Sequence, residues 1–247
     1  MEKFYNINKN SNTTSVYIYG EIVGGSYKWD DSDVTFDDFR NALDTIKDND
    51  TLELYINSPG GNVYTTQGIM NMITRTKQKK KCNVIAYIDG LGASCAGWLP
   101  MCADEIRIYK NSMMMLHKPM SMVFGNADEM QKEINLLNKM EDSVIVPAFL
   151  NKSKDLTSED IKNMLKEETW LNAEEISNLF NVTVIDEEKE MVACLDSKVM
   201  KNYKNIPENL KGSFLNKQKP IMSEETKKML DEIKSLEGFD DFDKKFR

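Results

Sequence analysis

Short aliphatic runs that alternate with period two, separated by stretches of helical spacing, recur between residues 16 and 185, and this alternation constrains the fold more than any other feature of the chain. Residues 16–22 carry Val16, Ile18 and Ile22 in phase, and residues 51–56 repeat the pattern with Leu52, Leu54 and Ile56 after a helix that starts near Thr35. Residues 83–88, Glu105–Tyr109 and Met113–Leu116 read as three further strands, and residues 181–185 as a closing one. The turn signal Ser58-Pro59-Gly60-Gly61 precedes Ile69, Met70, Met72 and Ile73 at helical spacing. Strands separated by helices predict an α/β fold with a largely parallel sheet covered on both faces. Residues 127–150 place Met130, Ile134, Leu137, Met140, Val144 and Ala148 on one stripe, a helix of about six turns. That helix is longer than a compact domain needs, so part of its stripe is expected to pack against another subunit. Thr157 to Asp160 and Asn172 to Glu175 have the form of capping boxes and start two short helices.

A chain of 247 residues buries one core of about 180–200 residues plus an appendage. A net charge of −8 argues against nucleic acid or an anionic membrane as the chief partner, because phosphate contact needs an excess of Lys and Arg. The basic run from Lys77 to Lys81 reads as a solvated turn. Cys82, Cys95, Cys102 and Cys194 show neither a CxxC pair nor metal-ligand spacing, and the start of the chain has no secretory pattern, so free thiols in a reducing cytoplasm are expected. The apolar stretch from Val84 to Ala103 contains Asp89, three glycines, Ser94 and Pro100, which fits a buried strand, turn and helix rather than a membrane span.

His117 is the sole histidine, so any proton relay that needs an imidazole uses that ring. It ends the run Met113–Leu116, and Lys118-Pro119 stops the strand behind it, which leaves the ring at a strand end, where α/β proteins place their chemistry. Ser94 sits in Gly90-Leu91-Gly92-Ala93-Ser94-Cys95-Ala96-Gly97 at a strand-to-helix turn. Small neighbours and helix-end N–H groups suit an exposed nucleophile, and they also suit close helix–sheet packing. The Gly60-Gly61 turn offers unencumbered N–H groups at the same sheet edge, placed to hold an oxyanion together with the N–H of Cys95.

Four blocks, Leu54-Tyr55-Ile56-Asn57-Ser58-Pro59-Gly60-Gly61, Gly92-Ala93-Ser94, Met115-Leu116-His117-Lys118-Pro119 and Gly125-Asn126-Ala127, together resemble the ClpP family of self-compartmentalising serine peptidases over residues 15–187. The resemblance implies a ClpP/crotonase-like fold of repeated β-β-α units with a long protruding helix. It implies Ser94 as nucleophile, His117 as general base, and the amides of Gly61 and Cys95 as oxyanion hole. Peptide substrate would lie as an added strand between an edge carrying Gly60, Gly61, Asn62 and Val63 and an edge from Met120 to Gly125. Met164 falls where the triad aspartate is expected; Glu168 is the first candidate for the third member, then Glu167 and Asp160, with a Ser–His dyad as the remaining option. No metal and no cofactor are implied.

The expected division is a flexible start over residues 1–14, a peptidase domain over 15–190, and a charged tail over 191–247 with a last helix from Ser223. Residues 167–171, the short start and the tail resemble the phage head maturation branch of the family. That implies an ATP-independent endopeptidase, a ring-shaped homo-oligomer, trimming capsid or scaffold protein in host cytoplasm or an assembling prohead. The alternatives are a housekeeping proteolytic subunit fed by an unfoldase, a crotonase-type acyl-CoA enzyme, and an inactive scaffold on the same fold.

Overall fold

The computed structural model describes residues 5–10, 12–24, 34–188, 199–207 and 210. The chain divides into a unit over residues 1–207 and a second over 208–247. The expected start of the tail at 191 and the helix expected from Ser223 lie outside the described residues.

The first unit opens with strands β1 (Tyr5–Asn10) and β2 (Thr13–Ile18), helix α1 (Phe36–Asp44), strand β3 (Thr51–Ser58), helix α2 (Val63–Lys80) and strand β4 (Asn83–Ala93). After the short helix α3 (Cys95–Trp98) come β5 (Glu105–Tyr109), β6 (Met113–Leu116), α4 (Ala127–Met140), α5 (Val146–Leu150), α6 (Ser158–Lys166), β7 (Thr169–Asn172), α7 (Ala173–Leu179) and β8 (Thr183–Ile185). The sheet runs in the order β1, β2, β3, β4, β5, β8, with β6 pairing both β4 and β7. Pairs β1–β2 and β6–β7 are antiparallel and the others parallel, as the alternation of strands and helices predicts. Residues 5–10, expected as part of a flexible start, instead extend the sheet by one strand.

The period-two residues Val16, Ile18, Leu52, Leu54, Ile56, Val84, Ala86 and Ile88 are all fully buried and join Ile69 and Ile73 of α2 in one core. The opposite face of β2–β4 departs from the expectation of two apolar faces. Tyr17, Tyr55 and Tyr87 stack there in register, with centroids 4.7 and 4.8 Å apart, and Arg107 lies 5.3 Å from the Tyr87 ring. Helix starts follow the sequence signals: Thr35, Thr157 and Asn172 each close a reciprocal capping box. The basic run ends α2, where cations suit the helix dipole, and Lys77 pairs with Asp104 at 2.5 Å.

Two departures position the site. The glycines after Ile88 read as a turn, yet β4 continues to Ala93 and changes partner on the way: Ile85 to Ile88 pair with β5, and Leu91 to Ala93 with β6. Asn57 holds this extension through an Oδ1 that accepts from Leu91 N at 3.0 Å, and a Cβ on Gly90 would lie 2.8 Å from that oxygen. The long helix is also not uniform. A π-helical turn over Glu141–Ile145 joins α4 to α5, next to Pro147, whose missing N–H leaves the regular ladder without a donor. No residue of α4 is buried, and Met130, Ile134 and Leu136 are exposed on it.

Candidate active site

Ser94 stands between the end of β4 and the start of α3 with φ 54° and ψ −126°, a conformation that L residues rarely adopt. Backbone bonds hold it there. Ser94 N donates to Met115 O at 2.9 Å, and Ser94 O accepts from Gly97 N at 3.0 Å and Trp98 N at 3.3 Å. The small neighbours are required by contact: a Cβ on Gly97 would meet Gly92 O at 2.6 Å, and one on Gly60 would meet Ala93 O at 2.7 Å and Ser94 Cβ at 2.8 Å.

His117 follows β6 directly. The parallel register sets Ala93 opposite Met115, so the residue after Ala93 and the second after Met115 project from the same sheet edge. Ser94 Oγ lies 2.6 Å from His117 Nε2, within hydrogen-bonding distance. Burial pushes the imidazole pKa below its ordinary value, against a smaller opposing pull from the Glu168 charge, which favours the neutral ring that can accept a proton.

The turn Pro59-Gly60-Gly61 approaches the same point. Ser58 Oγ donates to Gly20 O at 2.6 Å and accepts from Gly60 N at 3.1 Å, while Ile22 N donates to Gly60 O and Asn62 N to Ile22 O. Gly60 has φ 94° and Gly61 φ 141°. A Cβ on Gly61 would fall 2.2 Å from Ile22 O. The N–H groups of Gly61 and Cys95 both reach the Cys95 thiol, whose pKa burial pushes up to about 11 while Thr66 and those two amides oppose the shift. Gly61 and Cys95 thus bring two backbone amides close together next to Ser94.

A cleft of about 630 Å³ passes over these groups, with Ile22, Gly61, Asn62 and Val63 on one side and Pro119, Met120 and Met122 on the other. Beneath it a small cavity of about 20 Å³, bounded by Val63, Trp98, Leu116, Ile145, Phe149 and Leu165, opens beside Ser94 and His117. Ser94, His117, Gly61, Asn62, Val63 and Met120 are thus brought together, and Gly60 and Cys95 support them from behind. Gly125 does not line the cleft; it packs against Glu129, the residue that caps α4. Among the described residues no group of His, Cys, Asp and Glu is arranged to hold a metal ion. Nor is any described helix long and apolar enough to cross a membrane.

Glu168 stands apart from the relay. Its Oε1 accepts from the backbone N–H of Lys204 and of Asn205, each at 2.7 Å, and from Trp170 Nε1 at 3.4 Å. Among the described residues its carboxylate makes no hydrogen bond to the imidazole, so its influence on His117 is one of field alone. Asp160 is engaged as the capping partner of Thr157, and Glu167 offers its backbone oxygen to Asn205 Nδ2 at 2.9 Å. Met164, at the expected acid position, packs against the core.

Among the cleft residues that the sequence did not point to is Tyr203. Tyr203 is 6 % exposed, its hydroxyl donates to Pro59 O at 2.5 Å, and its ring meets His117 edge-on with centroids 5.2 Å apart. The available signal was modest: Met200 and Tyr203 are apolar side chains at i, i+3 spacing in an otherwise polar stretch, and both are buried.

A largely parallel α/β sheet thus carries a strained serine, a half-buried imidazole and a double-glycine turn at one edge. The sequence profile of the Clp protease family matches residues 7–180, and the chain belongs to that family. It is 32% identical over 102 residues to an ATP-dependent Clp protease proteolytic subunit of Bacteroides thetaiotaomicron, covering 39% of this chain and 44% of that one. It is 27% identical over 139 residues to the corresponding subunit 2 of Bacillus licheniformis, covering 56% and 68%. The chain thus spans under half the length of the first of these relatives. A ClpP1 variant from Listeria monocytogenes superposes with a TM-score of 0.53 at 22% identity, covering 71% of this chain and 92% of that one, which shows the fold.

Proposed function

We propose that this chain is a serine endopeptidase acting through an acyl-enzyme, with Ser94 as nucleophile and His117 as base. The observation that carries this reading is the 2.6 Å contact between Oγ and Nε2 in a cleft that Gly61 also lines, and the amides of Gly61 and Cys95 are the oxyanion donors in this proposal. Oγ attacks the peptide carbonyl as its proton passes to Nε2, and the carbonyl oxygen takes the electron pair and is held by the two amides. The imidazolium then protonates the leaving amine as the C–N bond breaks. Water enters, gives a proton to His117 and its oxygen to the acyl carbon, and Ser94 is regenerated. The substrate backbone lies along Gly61–Val63, which line the cleft over Ser94 and His117. Exposed Met122 and Phe124, with the uncovered stripe of α4, support assembly into a ring-shaped homo-oligomer that sequesters the site.

In the role we favour, the peptidase trims capsid or scaffold protein without ATP, in host cytoplasm or an assembling prohead. A second reading is favoured by the relatives' names, ATP-dependent proteolytic subunits, and has an unfoldase supply the substrate. A serine-directed fluorophosphonate is expected to modify Ser94, identified by peptide mass, and to fail on Ser94→Ala and His117→Ala. Absence of modification on the assembled chain and on its Tyr203→Ala and Glu168→Gln variants removes the peptidase reading. Processing of a co-expressed capsid precursor with no unfoldase present supports the trimming role; processing that needs an unfoldase and ATP replaces it with the second.

The pH profile follows from the direction of the His117 shift. Only the neutral ring accepts the serine proton, so kcat/KM should rise with pH through a limb centred below the ordinary value of 6.5. Glu168→Gln removes the charge that opposes the downward shift, so its limb should move to still lower pH. A limb centred above 6.5, or an upward move in Glu168→Gln, contradicts the burial argument.

A further inference from the structure

Part of the described segment after Val199 forms a wall of the catalytic cleft. Asn202 and Tyr203 line the same cleft as Gly61, Ser94 and His117. Tyr203 donates to Pro59 O, lines the cleft together with Ser94, and packs edge-on against both His117 and Trp170. Immediately beyond it, the N–H groups of Lys204 and Asn205 converge on one oxygen of Glu168, and the Asn205 side-chain amide reaches Glu167 O. One turn earlier Met200 is buried as well. Three successive residues of a polar segment thus make specific contacts through side chain and backbone, the way a bound peptide does.

We propose that residues 200–205 are an intramolecular ligand of the catalytic cleft, in which Tyr203 fills a subsite for an aromatic side chain and Glu168 latches the backbone that follows, so that the site stays closed to substrate until the segment is displaced. The proposal rests on the peptidase reading above. The phenol is bonded to Pro59 O in the wall of the cleft that Ser94 and Gly61 also line, where a substrate carbonyl must pass to meet Oγ. A ligand tethered in the same chain competes at an effective concentration in the millimolar range for short linkers, so peptides that bind more weakly are excluded. Glu168, expected from the sequence as a partner for His117, serves in this arrangement as the anchor of the inhibitory segment. An aromatic residue with two free N–H groups behind it is accordingly the pattern that a displacing peptide should carry.

The alternative role for Tyr203, a positioning residue that steadies the imidazole, predicts the opposite sign, which makes the test direct. Fluorophosphonate modification of Ser94 is timed in the full chain at about pH 8, where His117 is neutral. Tyr203→Ala is expected to react at least about tenfold faster than the unaltered chain, and the acetylated, amidated pentapeptide Lys-Asn-Tyr-Lys-Asn at millimolar concentration should slow it again. Glu168→Gln, which keeps an acceptor oxygen but loses the charge, should fall between the two and remains informative if Tyr203→Ala does not fold. Equal or slower reaction in a folded Tyr203→Ala, or in Glu168→Gln, overturns the plug while leaving the peptidase intact. No reaction in any of the three chains overturns the peptidase reading itself.

Discussion

Replacing Ser94 or His117 by alanine is expected to lower peptide turnover by on the order of 10⁶, with the double variant no worse than either single one. The two side chains are 2.6 Å apart and form one relay, so removing either abolishes the proton transfer that the other needs. The Ser94→Ala variant would keep the same backbone: the bonds from Ser94 N to Met115 O and from Gly97 and Trp98 N to Ser94 O involve no side chain. Its melting temperature should therefore stay close to that of the unaltered chain, which separates loss of chemistry from loss of fold. Residual activity from the converging amides and binding alone is expected in all three variants at a similar level. A loss of only about tenfold, or losses that multiply in the double variant, would mean that these groups do not act as nucleophile and base.

How far the sequence carried depends on the kind of signal each element leaves. Strands β2 to β4 were legible because burial on one side writes period two into Val16, Ile18, Leu52, Leu54 and Ile56. The extension of β4 was not, because glycine at 90 and 92 reads as a turn, whereas at Gly90 it is the close approach of Asn57 that excludes a side chain. Strand β7 escaped for a different reason: its four residues have no apolar alternation and owe their conformation to pairing with β6. Ser94 and His117 stood out because their chemistry demands uncommon side chains at strand ends. The position of Glu168 was less legible. Its expected place assumed helical phase from Met164, but α6 ends at Lys166 and Glu168 takes φ 50°, which turns its carboxylate toward Lys204 and Asn205. Tyr203 lies 144 positions from the carbonyl that holds it, and contacts of that span leave no periodic trace.

Gly61→Ala is expected to lower kcat/KM by about 10²–10³ while leaving the Ser94–His117 contact in place, the size of effect that follows loss of one oxyanion donor. The cause is local. A Cβ at position 61 would sit 2.2 Å from Ile22 O, so the turn must swing away from Ile22, and the Gly61 N–H swings with it. The new side chain would also be held at φ 141°, which costs about 1–3 kcal/mol for a non-glycine residue. Part of that strain should appear as a lowered melting temperature, and the rest as movement of the amide. Because the donor meets the carbonyl oxygen only as charge develops on it, the loss should fall mainly on kcat rather than on KM. Fluorophosphonate modification, which forms the same tetrahedral charge on Ser94, should slow in parallel. If turnover in a folded Gly61→Ala stays within about tenfold of the unaltered chain, the oxyanion is held elsewhere, and the convergence of Gly61 and Cys95 on one point serves the turn alone.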